Sequence, residues 1–242
     1  MQHESKGEIE RRYLPFRKVE RMNSTFTYEN KEYIFHHLEN DLIAKSWKIG
    51  LFYELPLLEW IKNKNMSGTY VDVGSHQGNH LIYFSKVCNA EKVIGVEGSP
   101  YNFSFLEENV KLNKCDNVVL HNVIASNEFD VDTKLYYNEQ NTGNTSKFNF
   151  GASTSFVSNT TDILDDLLKN EKVSLMKFDI QDMEWFALDG CINTLEEHLP
   201  ILFIEWNDSN AHTKKITTLL NSFGYKHTDT FNVPSCIRVY EA

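Results

Sequence analysis

Asp72-Val73-Gly74-Ser75-His76-Gln77-Gly78-Asn79 carries the densest chemistry in this chain. An apolar run, Tyr70 to Val73, enters a glycine-containing turn that opens a helix, and such a turn brings backbone N–H groups against a ligand. Gly74 and Gly78 are expected to omit a Cβ where a ligand must approach. Nineteen residues beyond Gly78, the run Lys92 to Val96 ends in Glu97. A carboxylate at that point can accept both hydrogen bonds of a ribose diol, so the pair of segments reads as an adenosine site. The dinucleotide fingerprint G-x-G-x-x-G seats a pyrophosphate on the helix N-terminus, whereas here the run is Gly-Ser-His-Gln-Gly. Bulky His76 disfavours a pyrophosphate. A nucleoside carrying an amino acid through a sulfonium fits better, which selects S-adenosylmethionine over NAD.

The elements that position these residues follow from periodicity. The pattern predicts a strand over 69–73, a helix over about 79–88, a strand over 92–96, a helix over about 100–112 and a strand over 117–124. After a polar stretch from 138 to 158, read as one long loop, come a helix at 163–168, a strand at 173–180, a helix at about 184–197 and a strand at 200–206. A helix over 212–223 and strands near 225–231 and 236–241 close the chain, the last two as an antiparallel hairpin. Alternation of this kind gives a mostly parallel sheet covered on both faces. Ahead of it lie a loosely held charged arm, a lead-in hairpin over 24–38, and an amphipathic helix over about 40–65 that Pro56 breaks or kinks. The expected division is 1–66 for arm, hairpin and helix, and 67–242 for the catalytic domain.

With 242 residues, 41% of them hydrophobic and only 11 Gly and 5 Pro, the chain can bury one large core. Its net charge of −10 argues against a nucleic-acid backbone or an anionic membrane as partner, with a local patch of Lys169, Lys172, Lys177, Lys214 and Lys215 the one exception. Cys88, Cys115, Cys191 and Cys236 lie far apart with no C-x-x-C pair, as reduced thiols would. No apolar run approaches a membrane span and no signal peptide is visible, so the expected compartment is the cytoplasm. No metal is expected: His76 and His80 share a helix face but have no third ligand at a defensible spacing.

Several blocks in order resemble the FkbM family of methyltransferases. They are Asp72 to Asn79, then Val93-Ile94-Gly95-Val96-Glu97-Gly98-Ser99-Pro100 with Leu106-Glu107-Glu108-Asn109, then Val118 to Ala125. Leu175 to Ile180 followed by Glu184, and Pro200 to Glu205, complete the set, so that the resemblance covers roughly residues 50–207. It implies an α/β class I Rossmann-like methyltransferase fold, with a seven-stranded, mostly parallel sheet ending in an antiparallel hairpin. On these positions Asp72, Gly74, Ser75 and Gly78 would line the methionine part of S-adenosylmethionine, with Asn79 beside them. Glu97 would hold the ribose, and Ser99, Asn122 and Val123 the adenine edge. Tyr53-Glu54 also resembles a family position ahead of the first strand, which makes Glu54 a weaker candidate. One departure falls on the acceptor side: the family's Asp-x-Glu-Gly-x-Glu is here Asp179-Ile180-Gln181-Asp182-Met183-Glu184.

Ligands of open α/β sheets lie beyond the carboxyl ends of the strands, which brings Asp179 and Glu205 to the mouth of the pocket. These two, with Glu184 next, are the expected catalytic acids, and Asp179 also belongs to the cofactor set. The same acids can serve as helix caps. Phe148, Phe150 and Phe156 are candidates for a lid, and Trp185 and Trp206 for sugar stacking. The resemblance implies an O-methyltransferase acting on a hydroxyl, most often of a sugar in a glycan, polysaccharide or glycosylated metabolite. The competing readings are an RNA ribose or cap methyltransferase, a nicotinamide oxidoreductase, and a catalytically silent cofactor-binding subunit.

Overall fold

The computed structural model describes residues 21–39, 41–138, 141–148, 156–232 and 235–242; the charged arm and Phe150 lie outside them. The strands β1 (Arg21–Tyr28) and β2 (Lys31–Leu38) form the expected antiparallel hairpin. Its turn residues Glu29 and Asn30 both have positive φ (47° and 61°), matching the twist of paired strands. The stretch 40–65 forms two short helices, α1 (Ala44–Lys48) and α2 (Leu55–Lys64), instead of one kinked helix. Gly50 and Glu54, at φ 84° and 55°, turn the chain between them. Pro56 sits in the first turn of α2, where a missing N–H costs nothing.

The elements β3 (Thr69–Val73), α3 (Asn79–Lys86), β4 (Lys92–Val96), α4 (Pro100–Leu112) and β5 (Val118–His121) follow the periodicity. The predicted strand 117–124 ends early because Asn122 donates its Nδ2 to Glu97 O (2.8 Å), after which the chain enters a different sheet as β6 (Ile124–Ser126). Further strands, β7 (Asp132–Asn138), β8 (Asn141–Ser146) and β9 (Phe156–Ile163), occupy much of the region expected as a loop. With β6 they make a four-stranded sheet in the order β6-β9-β7-β8. Next come α5 (Leu164–Leu168), β10 (Val173–Phe178), α6 (Glu184–Asp189) and α7 (Ile192–His198). The predicted helix 184–197 is divided at Gly190, where a Cβ would stand 2.1 Å from Ser126 O. The chain closes with β11 (Ile201–Glu205), α8 (Thr213–Ser222), β12 (Lys226–Phe231) and β13 (Ile237–Glu241).

Seven strands form the central sheet in the order β12-β13-β11-β10-β3-β4-β5. The pairs from β11 through β5 are parallel; β13 runs antiparallel to both β11 and β12. Alternate side chains divide into two cores, as strand geometry requires. Tyr70, Val93, Leu175 and Phe203 face α3 and the hairpin, while Val71, Val73, Met176, Phe178, Leu202 and Ile204 face α5 to α8.

The hairpin shares the first of these cores. Phe35 stacks on Trp47 at 4.1 Å, and Phe52 meets Tyr33 and Tyr83 edge-on at 4.9 and 5.1 Å. Asn109 of α4 and Asn113 at its C-cap dock β2 by imitating a neighbouring strand. Asn109 Oδ1 accepts from His36 N and its Nδ2 donates to His36 O (2.7 and 3.0 Å); Asn113 does the same to Ile34 (3.1 and 2.7 Å). None of the four cysteines is joined to another. Among the described residues no helix is long and apolar enough to cross a membrane.

Candidate functional site

From β3 the chain steps outward to β4 and β5, then returns to the other side of β3 as β10. The loops leaving the carboxyl ends of β3 and β10 therefore diverge and open a cleft, the usual ligand position in such sheets. Gly74 makes this divergence possible. It has φ 86°, and a Cβ there would stand 2.0 Å from the Asp179 carbonyl oxygen. Gly78 (φ 97°) has a different reason from the expected one, because its Cβ would meet Leu106 Cδ1 at 2.9 Å and Ile82 Cδ1 at 3.3 Å, so helix packing rather than a ligand requires glycine.

The cleft has two lobes that meet at Gly74, His76, Gly143, Asp179 and Gln181. The smaller, about 60 Å³, is walled by Val123, Ile124, Ala125 and Leu135 and has Glu97 on its rim. Buried Glu97 is held by two backbone donors, His76 N to Oε2 (2.8 Å) and Ser99 N to Oε1 (2.7 Å). A carboxylate oxygen accepts more than one hydrogen bond, so each keeps capacity for a ribose hydroxyl. Burial raises the Glu97 carboxyl; His76 and the two backbone donors oppose that. His76 pays for its position with φ 49°.

The larger lobe, about 250 Å³, is charged. Its floor is Lys177, 1% exposed, whose Nζ donates to Asp179 Oδ2 at 2.9 Å. Burial pushes the amine down, but Asp179, Asp72 and Glu54 outweigh it and keep Lys177 protonated. Lys177 in turn holds Asp179 ionised, down to about 2, against the upward push of burial. Glu205 goes the opposite way: burial, then the charges of Asp179 and Glu184, keep it protonated. Gln181 bridges the pair, donating Nε2 to both Glu205 oxygens (2.9 and 3.1 Å) and standing 3.4 Å from Asp179 Oδ1. Gln181 and Asp182 both adopt positive φ (54° and 69°) in the turn after β10. On the other wall His80 Nε2 lies 2.9 Å from Glu54 Oε2, and Ser235 donates to Glu54 Oε1. Burial raises Glu54, and the His80 hydrogen bond and charge bring it below its ordinary value.

Of the residues singled out from sequence, Gly74, Ser75, Glu97, Val123, Asp179 and Glu205 converge on the cleft. Asp72 lies beneath it, fully buried, with neither carboxylate oxygen in hydrogen-bonding geometry with a neighbour. Glu54 is buried against His80 and not a solvated helix-face acid. Asn79 reaches the larger lobe, but its amide is occupied in accepting from Trp47 Nε1 and Tyr53 N and donating to Tyr53 O. Ser99 caps α4, its Oγ accepting from Asn102 N (3.4 Å). Asn122 ties β5 to Glu97 O rather than lining either lobe. Glu184 is 2% exposed and outside both linings; its Oε1 accepts from Ile180 N (3.1 Å), bracing the turn, and burial pushes it up to about 7.

Lys177 is no surface cation as the proposed patch would have it. Trp206 is 7% exposed, under Arg238 and beside Tyr240, and is core rather than a stacking platform. Phe156 is an exposed residue of β9. Sequence reasoning missed Asp41, which accepts from Gln77 Nε2 (3.0 Å) and lies 3.6 Å from His76 Nε2. It also missed that Lys177 lies beneath the cleft; the signal was a lysine inside an apolar strand two residues before an acid. Among the described residues no group of three or more His, Cys, Asp or Glu is placed to hold a metal ion.

A profile of the methyltransferase FkbM domain matches residues 72–227. No curated protein matches the chain. Among solved structures it is similar to methyltransferase FkbM from Methylobacillus flagellatus KT, at 19% identity and TM-score 0.49 over 72% of this chain and 44% of that one. It is similar to precorrin-6y C5,15-methyltransferase from Geobacter metallireducens GS-15 (11%, TM-score 0.49, 77% and 86%). A SAM-dependent methyltransferase from Aquifex aeolicus is likewise similar (15%, TM-score 0.43, 82% and 96%). The chain thus spans 44% of the length of the Methylobacillus structure.

Proposed function

The chain belongs to the methyltransferase FkbM family, and from that premise we propose that it is an S-adenosylmethionine-dependent O-methyltransferase acting on a sugar hydroxyl of a glycan, polysaccharide or glycosylated metabolite. The observation that carries the cofactor reading is Glu97, fixed between His76 N and Ser99 N at the rim of an apolar slot. Glu97 would take the ribose diol, Val123, Ile124, Ala125 and Leu135 the flat adenine, and the charged lobe the amino-acid end. The sheet order and its terminal antiparallel pair support the class I methyltransferase arrangement. Residues 67–242 would form the catalytic domain, with the hairpin and α1 sealing one wall.

When bound, the cofactor supplies a methyl group on a sulfonium, and transfer is an in-line displacement governed by alignment. Asp179 faces both lobes and is held ionised by Lys177, so it can accept a hydrogen bond from the acceptor hydroxyl and point its lone pair inward. A weak base suffices, because a hydroxyl that has gained a methyl becomes an oxonium far more acidic than any carboxylic acid. Protonated Glu205 hydrogen-bonds to Asp179 and, with Gln181 against it, holds the Asp179 carboxylate in place.

Calorimetric titration with S-adenosylmethionine, S-adenosylhomocysteine and NAD tests the reading. The two sulfur nucleosides are expected to bind and NAD not to, and Glu97→Ala is expected to weaken them about a hundredfold, the loss of two hydrogen bonds to a charged group. Heat with NAD alone would refute it. A silent subunit, which the Gln181 and Asp182 departures favour, would bind the nucleosides yet never release S-adenosylhomocysteine with any acceptor.

A further inference from the structure

Beside the cleft, three basic side chains gather on aromatic rings. Lys147 Nζ stands 3.5 Å from the centroid of the Phe186 ring, and Lys215 Nζ stands 5.2 Å from that of Trp185. His212 meets Phe186 edge-on at 5.1 Å and lies nearly parallel to Trp185 at 6.5 Å. We propose that Lys147, His212 and Lys215, set around Trp185 and Phe186, form a subsite for an anionic group, carboxylate or phosphate, on the sugar acceptor. The inference rests on the sugar O-methyltransferase reading and adds the charge of its substrate.

The cluster has no carboxylate in direct contact with it; Glu128 acts on Lys147 only as a through-space charge, too weak to offset its burial. Among the described residues neither lysine is in salt-bridge contact with a carboxylate, and His212 Nδ1 is buried without a hydrogen-bond partner. Burial, Lys215 and Lys147 all keep His212 below its ordinary pKa, which places both ammonium groups within electrostatic range of the ring. Two ammonium groups facing one imidazole gain most from an anion between them, which would also favour the protonated ring. The rings offer the other half of sugar recognition, an apolar face for its C–H groups.

The cluster is tied to the cleft through its neighbours. Ser146 Oγ donates to Gln181 O (2.8 Å), which anchors the residue before Lys147 to a residue lining both lobes. Trp185 and Phe186 lie in the first turn of α6, one residue beyond the 180–183 turn. Asp182, standing where the family has glycine, accepts from Asn207 Nδ2 (3.1 Å) and Asn210 Nδ2 (3.0 Å), which sets the loop carrying His212. A nucleic acid would require a longer basic track, and the net charge of −10 provides none. A single anionic group is what the patch can neutralise.

The test titrates the full chain with glucose, glucuronate, glucose 6-phosphate and a short single-stranded oligoribonucleotide, at low and high salt, in parallel with S-adenosylhomocysteine. At least one charged sugar is expected to bind about tenfold more tightly than glucose, as one added charge-assisted contact implies, and the two anions identify which group is preferred. The advantage should fall at high salt and vanish in a Lys147→Met/Lys215→Met variant whose affinity for S-adenosylhomocysteine is unchanged. Lys215 is exposed, so Lys215→Glu alone reverses the preference without disturbing packing. Equal binding of glucose and both anions, absence of binding by every sugar, or a preference that survives the variants would overturn the proposal. Tighter binding of the oligoribonucleotide than of either anionic sugar would overturn it in favour of a nucleic acid. Because the sugars are titrated with and without S-adenosylhomocysteine, failure of the nucleoside to bind while the anion preference persists refutes the donor site alone.

Discussion

Replacing Lys177 by Met keeps the aliphatic stem of the side chain and deletes the charge beneath the cleft. The ammonium is 2.9 Å from Asp179 Oδ2, and in the β3–β10 register Lys177 lies opposite Asp72. The variant leaves two acids without their cation. Removing one partner of a buried ion pair costs about 3–5 kcal/mol. In a chain of this size each kcal/mol is worth roughly 2–4 °C in Tm, which gives a fall of about 6–20 °C. Asp179 retains 23% exposure, so solvent relieves part of the strain and the expected fall is about 10 °C. The pH dependence separates charge from packing. In the wild type Asp179 is lowered to about 2, and a lowered acid contributes stability above its unfolded pKa that is lost as pH falls through the folded one. Without Lys177 that contribution disappears, and burial pushes both acids upward, so acid neutralises the orphaned charges. The penalty should therefore be largest near pH 8 and shrink toward pH 4. Thermal unfolding of both proteins at the two pH values is the assay. A fall of less than about 3 °C at pH 8, or an equal penalty at both, would refute the reasoning.

Gly74→Ala places a Cβ about 1.5 Å inside van der Waals contact with the Asp179 carbonyl and in a left-handed conformation. A loss of about 2–4 kcal/mol in urea unfolding, with loss of nucleoside binding, is expected, and near-wild-type stability would contradict the close approach. Glu184 is raised to about 7, so it contributes stability at low pH that is lost as pH rises toward and through that value. Glu184→Gln retains an acceptor for Ile180 N and does not titrate, so its Tm relative to wild type should rise between pH 5 and pH 8, by up to about 3 kcal/mol of stability. Parallel curves would mean that burial is not governing this acid.

Much of the cleft was readable because strand and turn chemistry there is local. Asp72 to Asn79 and Lys92 to Glu97 announce a strand, a glycine turn and an acidic strand end, and they fold as those signals imply. What escaped was decided by distant neighbours. The second sheet uses Asn141 to Ser146, a run with no apolar alternation, which pairs because β7, held on its other side by β9, offers a free edge. The division at Gly190 depends on Ser126, 64 positions earlier in the chain. Ser99 carried a cap signature, a serine before proline at the start of a helix, yet the family resemblance drew attention to adenine instead. Lys177 could be interpreted only once Asp72 and Asp179 were seen around it.

The way Asn109 and Asn113 dock β2 has a consequence for the order in which the chain assembles. A two-stranded ribbon is marginal alone in water, and β1 and β2 leave the ribosome well before α4 does. Asn113 follows the end of β2 by 75 residues. At roughly 5–20 residues per second that separation is about 4–15 s of translation. During this interval Phe26, Tyr33 and Phe35, later buried against Trp47, Phe52 and Tyr83, have no completed core to enter. The ribbon is thus locked only when a helix synthesised much later supplies its two amides, and its aromatic face is what the emerging chain presents to chaperones in the meantime.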